Sequence, residues 1–300
     1  MERLFFLICI CFANSYSGYA QSAEMVFVGS TPADPEIRSR LSISEDKKID
    51  FIRWDLRLQN PKTGLANAFV LNIIFGEGQP NTLGFIGGGE KLSFTGEYTV
   101  SKSKTNNING AVYQLKSVQL PGGIALVRLN INLLHLLTKE NKLMVGNGGW
   151  SYTLSRKEPL KSPSPLPNFT SIKTDSSAQA IFEGRTPCQV FAQDHNLDIS
   201  SGCFKLKWKL TLNRDPQTFL PTTYQLRATF NRGAGIEGKW EIIKDVHSNA
   251  LIYELHPGNQ QKSFSLLAGD ENVLFFIDQN KNLYNGNADF SFALNRRKKL

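Results

Sequence analysis

Four short segments of this chain occur twice, in the same order, about 140 to 155 residues apart. Phe27-Val28-Gly29-Ser30-Thr31-Pro32 returns as Phe182-Glu183-Gly184-Arg185-Thr186-Pro187. Arg53-Trp54-Asp55-Leu56-Arg57-Leu58 returns as Lys207-Trp208-Lys209-Leu210-Thr211-Leu212. Asn60-Pro61-Lys62-Thr63 returns as Asp215-Pro216-Gln217-Thr218. The closing segment Leu143 to Arg156 is matched by Leu283 to Arg296, with Gly146-Asn147 and Gly286-Asn287 at the same place. A period this long far exceeds the ~20–50 residues of a solenoid unit, so the repeated unit is a whole domain.

Within each copy the apolar residues alternate. Ile52, Trp54, Leu56 and Leu58 share one face of an extended strand, while Arg53, Asp55 and Arg57 share the other. Leu206, Trp208, Leu210 and Leu212 alternate in the same way with Lys207, Lys209 and Thr211. Period two is the mark of a strand buried on one side. Breakers at Asn60-Pro61, Gly87-Gly88-Gly89, Asp215-Pro216 and Asp278-Gln279-Asn280 separate the runs. The only stretch that fits helical turns better is Val190 to Asn196. The expected fold is all-β, with two tandem antiparallel β-barrel domains at 24–156 and 180–296. Between them, 157–179 carries four closely spaced prolines and a Ser/Thr-rich stretch, which predicts a semi-rigid spacer holding two partly independent barrels.

Residues 1–20 read as an export signal. Arg3 precedes the apolar run Leu4 to Ala13, and Gly18-Tyr19-Ala20 supplies small residues for cleavage near Ala20. The run is shorter than the roughly 20 residues of a membrane-crossing helix, and no transmembrane segment is expected elsewhere. The reading is a periplasmic or secreted protein. Cleavage would leave Cys188 and Cys203, an even pair that predicts a disulfide. Half of the formal charge of +8 comes from Arg296-Arg297-Lys298-Lys299, at the start of and within the basic tail 297–300. Charge concentrated in a tail, rather than on a folded face with interleaved aromatics, argues against nucleic acid as a partner.

Candidate chemistry is sparse. Cys188, Asp194 and His195 are near enough in sequence to share a loop as a metal or Cys-His nucleophile site, but oxidation with Cys203 consumes the thiol. Of the four histidines His135, His195, His247 and His256, His135 reads as a satisfied or half-exposed strand histidine with no partner at metal-ligand spacing. Asp55 with Glu97, or Glu237 with Glu241, would need a defined separation in a cleft to cleave glycosides. Asp55 instead shares its strand face with Arg53 and Arg57, which predicts a surface ion pair. Gly84 to Gly89 lacks the lysine and helix of a phosphate loop and reads as a hairpin. No catalytic residue, metal ligand or cofactor is assigned.

Gly184-Arg185-Thr186-Pro187-Cys188, then Gly238-Lys239-Trp240, Ile252-Tyr253-Glu254-Leu255 and Leu274-Phe275-Phe276-Ile277-Asp278, resemble in kind and order the NlpE-type copper-resistance and envelope-stress proteins. The resemblance covers 180–296 directly and 24–156 through the duplication. It implies a lipocalin-like barrel in each repeat. Cys188-Gln189-Val190-Phe191 departs from that family's Cys-x-x-Cys, and no lipid-attachment motif is present. The expected function is a non-catalytic exported envelope protein that binds an envelope partner or a small apolar ligand. The alternatives are a copper-responsive protein and a hydrolase. The interior of the barrels discriminates: an open cavity fits a carrier, and a solid core fits a docking module.

Overall fold

The computed structural model describes residues 24–60, 66–102, 110–161, 165–169, 175, 177–230, 235–258 and 262–297. The export signal and the end of the basic tail lie outside these residues. The first repeat consists of β1 (Glu24–Thr31), α1 (Pro35–Arg40), β2 (Phe51–Gln59), β3 (Ala68–Gly76), β4 (Glu90–Lys102), β5 (Ala111–Lys116), β6 (Ile124–Asn130), β7 (Leu133–Leu136) and β8 (Thr153–Arg156). The second consists of β9 (Gln179–Thr186), α2 (Gln189–His195), β10 (Leu206–Arg214), β11 (Pro221–Ala228), β12 (Ile236–Lys244), β13 (Leu251–Pro257), β14 (Phe264–Ala268), β15 (Val273–Ile277) and β16 (Ala293–Arg296). Each set of eight strands forms a closed antiparallel meander in which the last strand pairs with the first. The two tandem antiparallel β-barrels expected from the duplication and the strand pattern are observed. Neither helix is long and apolar enough to cross a membrane.

The alternation works as the strand pattern requires. Ile52, Trp54, Leu56 and Leu58 point inward and are essentially inaccessible, as are Leu206, Leu210 and Leu212 opposite their own neighbours. Each interior holds one contiguous apolar cluster. A short helix after the first strand seals one end. In the first barrel Ile37 and Leu41 enter the cluster. In the second, Phe191 contacts the rings of Trp208, Phe264, Phe276, Tyr284 and Phe292. The helix expected over Val190 to Asn196 is present as α2. Its counterpart α1 was not anticipated, although its start is written locally: Asp34 accepts from the Ile37 amide at 2.9 Å and Pro35 takes the first helical position.

The Gly-x-Thr-Pro segment common to both copies is explained by barrel closure. Gly29 and Gly184 sit where the first strand meets the last. A Cβ on Gly29 would lie 2.8 Å from Leu154 Cδ2, and one on Gly184 would lie 2.5 Å from the Ala293 carbonyl oxygen. The threonine two residues on accepts the indole N–H of the buried tryptophan, Trp54 to Thr31 at 2.9 Å and Trp208 to Thr186 at 2.8 Å. A buried indole donor needs such a partner, so glycine, threonine and tryptophan recur as a set.

The barrels do not swing on a spacer. A third apolar cluster lies between them and joins Ala125, Val127, Leu133 and Leu137 of the first to Ile252, Leu267, Phe275 and Ile277 of the second. Leu166 and Phe169 of the connecting segment are buried in it. The expectation of partly independent orientation is therefore overturned. The cause lies in β7 and β15, which are buried on both faces. Inward residues such as Leu134 and Leu274 serve the barrel cores, and their outward neighbours bury the junction.

Candidate functional site

The junction is built from the duplicated segments and obeys a pseudo-two-fold. Ladder register makes β7 and β15 equivalent, because Leu133 pairs with Ser155 as Val273 pairs with Asn295. The closing Gly-Asn loop of each barrel docks on the last strand of the other. The Gly146 amide donates to Asn295 Oδ1 at 2.7 Å, and the Gly286 amide donates to Ser155 Oγ at 2.9 Å. Glycine is needed at both places: a Cβ on Gly146 would lie 2.1 Å from the Trp150 carbonyl oxygen, and one on Gly286 2.4 Å from that of Phe290. Within each loop the side-chain Oδ1 of Asn147 or Asn287 accepts from the amides two and three residues on, which fixes the turn.

Pseudo-symmetry would create two equivalent grooves beside the junction, and the two differ. One is open, with a volume of about 570 Å³, and is lined by Val28, Asn72, Ile74, Arg156, Lys157 and Asn287 among others. Arg53, which also lines it, forms an ion pair with Asp289 of the other barrel, its guanidinium also donating to the Leu83 carbonyl at 2.6 Å. Ser30 Oγ donates to the Ala288 carbonyl at 2.8 Å. An adjoining cleft of about 470 Å³ shares Arg156 and Lys157 and adds Glu24, Glu158 and Leu160. On the other side larger side chains stand at the equivalent places. There the equivalent of Val28 is Glu183, whose Cβ lies only 3.0 Å from where a Cβ on Gly148 would stand, and Arg185 lies over the Trp150 ring, 5.1 Å from its centroid.

The remaining candidate residues fall elsewhere. Cys188 and Cys203 form the expected disulfide, with Cα atoms 6.0 Å apart. His195 stacks between Phe191 and Phe264, and burial lowers its pKa to about 4. Asp194 offers its backbone carbonyl to Lys262. Among the described residues no group of three or more His, Cys, Asp or Glu side chains is arranged to hold a metal ion. Asp55 pairs with Arg57 at 2.8 Å on the barrel exterior, while Glu97 sits farther along β4. Glu237 accepts from Gln225 at 2.6 Å, and Glu241 meets His256 at 2.9 Å. Gly87, Gly88 and Gly89 all take positive φ in a tight turn that brings Phe85 onto Phe51, with ring centroids 4.2 Å apart.

His135 is fully buried rather than half-exposed. Its Nε2–H donates to the Met144 carbonyl at 2.9 Å, which leaves Nδ1 to accept from Thr153 Oγ at the same distance. Desolvation lowers its pKa to about 4, so the ring is neutral. Sequence reasoning missed the groove. Arg53 and Asp289 are 236 residues apart, and no local pattern announces that they meet. Comparisons of the chain with protein-family models, with curated proteins and with solved structures return no match.

Proposed function

We propose that this chain is a non-catalytic, exported envelope protein of the NlpE-like kind, which works by binding, and that the open inter-barrel groove is its binding surface. The observation that carries the reading is the broken symmetry of the junction. Two equivalent grooves follow from the duplication, yet Glu183 and Arg185 stand against Gly148 and Trp150 on one side, while Val28 and Ser30 hold the equivalent places on the other, where about 570 Å³ is open. That volume is in the range of small-molecule sites. The barrel interiors favour this location, because each is occupied by its own apolar cluster and sealed at one end by a helix. The disulfide fits an oxidising compartment outside the cytoplasm.

Titration with the uncharged dye N-phenyl-1-naphthylamine tests the groove. Saturable fluorescence enhancement is expected, and Ala288→Trp, which fills the groove from a loop, is expected to abolish it. Enhancement unchanged by that substitution would place binding elsewhere and sink the reading.

A further inference from the structure

The geometry points to a small amphiphilic anion as the occupant of this groove: an apolar body carrying one carboxylate, sulfonate or phosphate. The inference rests on the groove being a binding surface and adds the ligand class. Val28, Ile74 and Ala288 supply an apolar floor. The polar groups around it are nearly all committed in a way that leaves donors. Asn72 Oδ1 already accepts from Ser93 Oγ at 2.8 Å. Asn287 Oδ1 already accepts from the Asp289 and Phe290 amides at 2.9 and 2.8 Å. Both amides therefore have only their NH2 groups to offer a ligand.

The charges point the same way. Asp289 is engaged by Arg53, and Asp55 by Arg57. Among the described residues, neither the Arg156 guanidinium nor the Lys157 ammonium has a hydrogen-bond or ion-pair partner. Their equivalents on the other side are neutralised: Arg296 lies 3.1 Å from Asp175, and Arg297 lies 3.6 Å from Glu183. Two cations without ion-pair partners beside an apolar floor, with amide donors but few free acceptors, match an anionic head on an apolar body. In the adjoining cleft Glu24 stands 3.8 Å from Arg57, and Glu158 adds a further carboxylate. The anionic head therefore belongs in the groove that Asn72 and Asn287 line, and not in the cleft that holds those carboxylates.

Two dyes that share one ring system and differ by a sulfonate test this: 8-anilinonaphthalene-1-sulfonate and uncharged N-phenyl-1-naphthylamine. The sulfonate is expected to bind at least about tenfold more tightly at low salt, and less so as salt screens the cations. Arg156→Gln with Lys157→Gln is expected to bring the sulfonate down to the neutral dye's affinity; near-ultraviolet circular dichroism confirms folding. Ala288→Trp is expected to block both dyes. Equal affinities, with both dyes blocked by Ala288→Trp, would overturn the anion and leave the groove standing. Binding of neither dye would overturn both. Arg156- and Lys157-dependent co-sedimentation with phosphatidylglycerol vesicles, without displacement of the bound sulfonate, would overturn a free ligand in favour of a lipid headgroup.

Discussion

The imidazole of His135 meets the ring of Phe275 edge to face across the barrel junction, with centroids 5.5 Å apart. The two residues hold equivalent places in the two barrels: His135 pairs with Thr153 as Phe275 pairs with Ala293. A position that faces its own equivalent lies close to the pseudo-two-fold. An isologous contact between two identical barrels would place one residue type against itself there, so the junction has the geometry of a symmetric dimer fused into one chain. The identities have since diverged as a pair, with a polar His–Thr set on one side and an apolar Phe–Ala set on the other.

That pairing sets the first prediction. His135→Phe strands the Met144 carbonyl in a dry interface and leaves the Thr153 hydroxyl with Ser151 Oγ as its remaining partner, at an expected cost of about 2–4 kcal/mol. Thr153→Ala in the same background removes a hydroxyl that has lost its imidazole acceptor and copies the arrangement of the second barrel. It is expected to recover about 1 kcal/mol, although Thr153→Ala alone destabilises. Urea unfolding of the four proteins gives the coupling directly. Equal effects of Thr153→Ala in both backgrounds would show that the two residues do not act together.

Acid should weaken the fold through the same ring. The pKa of His135 is about 4 in the folded protein, below its ordinary value of 6.5, because burial disfavours the cation. The unfolded chain therefore binds more protons between these values, and stability falls as pH drops from about 6.5 to 4, by up to about 3 kcal/mol for this group. His195 shifts in the same direction for the same cause. Asp270 opposes them: burial raises its pKa from 3.8 to about 6, so its protonation favours the folded state across much of that window. Asp270→Asn is expected to steepen the acid loss and His135→Phe with Thr153→Ala to flatten it, as measured by thermal melts from pH 7 to 4. A wild-type melting temperature that rises on acidification would contradict the assignment.

The closure glycines give a sharper mechanical test. Alanine at Gly184 must displace the Ala293 backbone and Leu294, and alanine at Gly29 must displace Leu154. Each is expected to cost 3 kcal/mol or more, on the scale of about 1–3 for ordinary overpacking with an added shift of the closing ladder. Gly87 is the control. Its φ is +63° but nothing lies within 4 Å of its Cβ position, so alanine there carries only the conformational penalty of about 1 kcal/mol. Comparable losses at Gly184 and Gly87 would refute the closure role.

Much of the fold was legible because it is written locally. The inward set Ile52, Trp54, Leu56 and Leu58 needs only period two, and its recurrence at Leu206 to Leu212 needs only the duplication. The disulfide followed from an even cysteine pair. The junction was less legible, since outward residues such as Val127 and Leu267 look like any apolar strand residue until both faces are known to be covered. Leu133-Leu134-His135-Leu136-Leu137, interrupted only by His135, and the unbroken Val273-Leu274-Phe275-Phe276-Ile277 did carry the signal, as apolar runs of the kind a doubly buried strand shows. The groove was not legible at all. It is made by Arg156, Lys157, Asn72 and Asn287, whose meeting depends on how the two barrels dock.

Because the barrels share a buried cluster, they should unfold together. Each also has its own interior cluster, so each keeps a source of stability when the junction is broken. Leu267 is inaccessible and belongs to the shared cluster rather than to the second barrel's interior. Leu267→Asp places an unpaired carboxylate in that cluster, at a cost well above the ordinary range for a surface change. Scanning calorimetry is expected to show one cooperative transition for the parent and two separated transitions for Leu267→Asp, with the disulfide-bearing second barrel melting independently of the first. Two independent transitions already present in the parent protein would mean that the junction contributes little, and the groove it frames would then lack the rigidity that a preformed site requires.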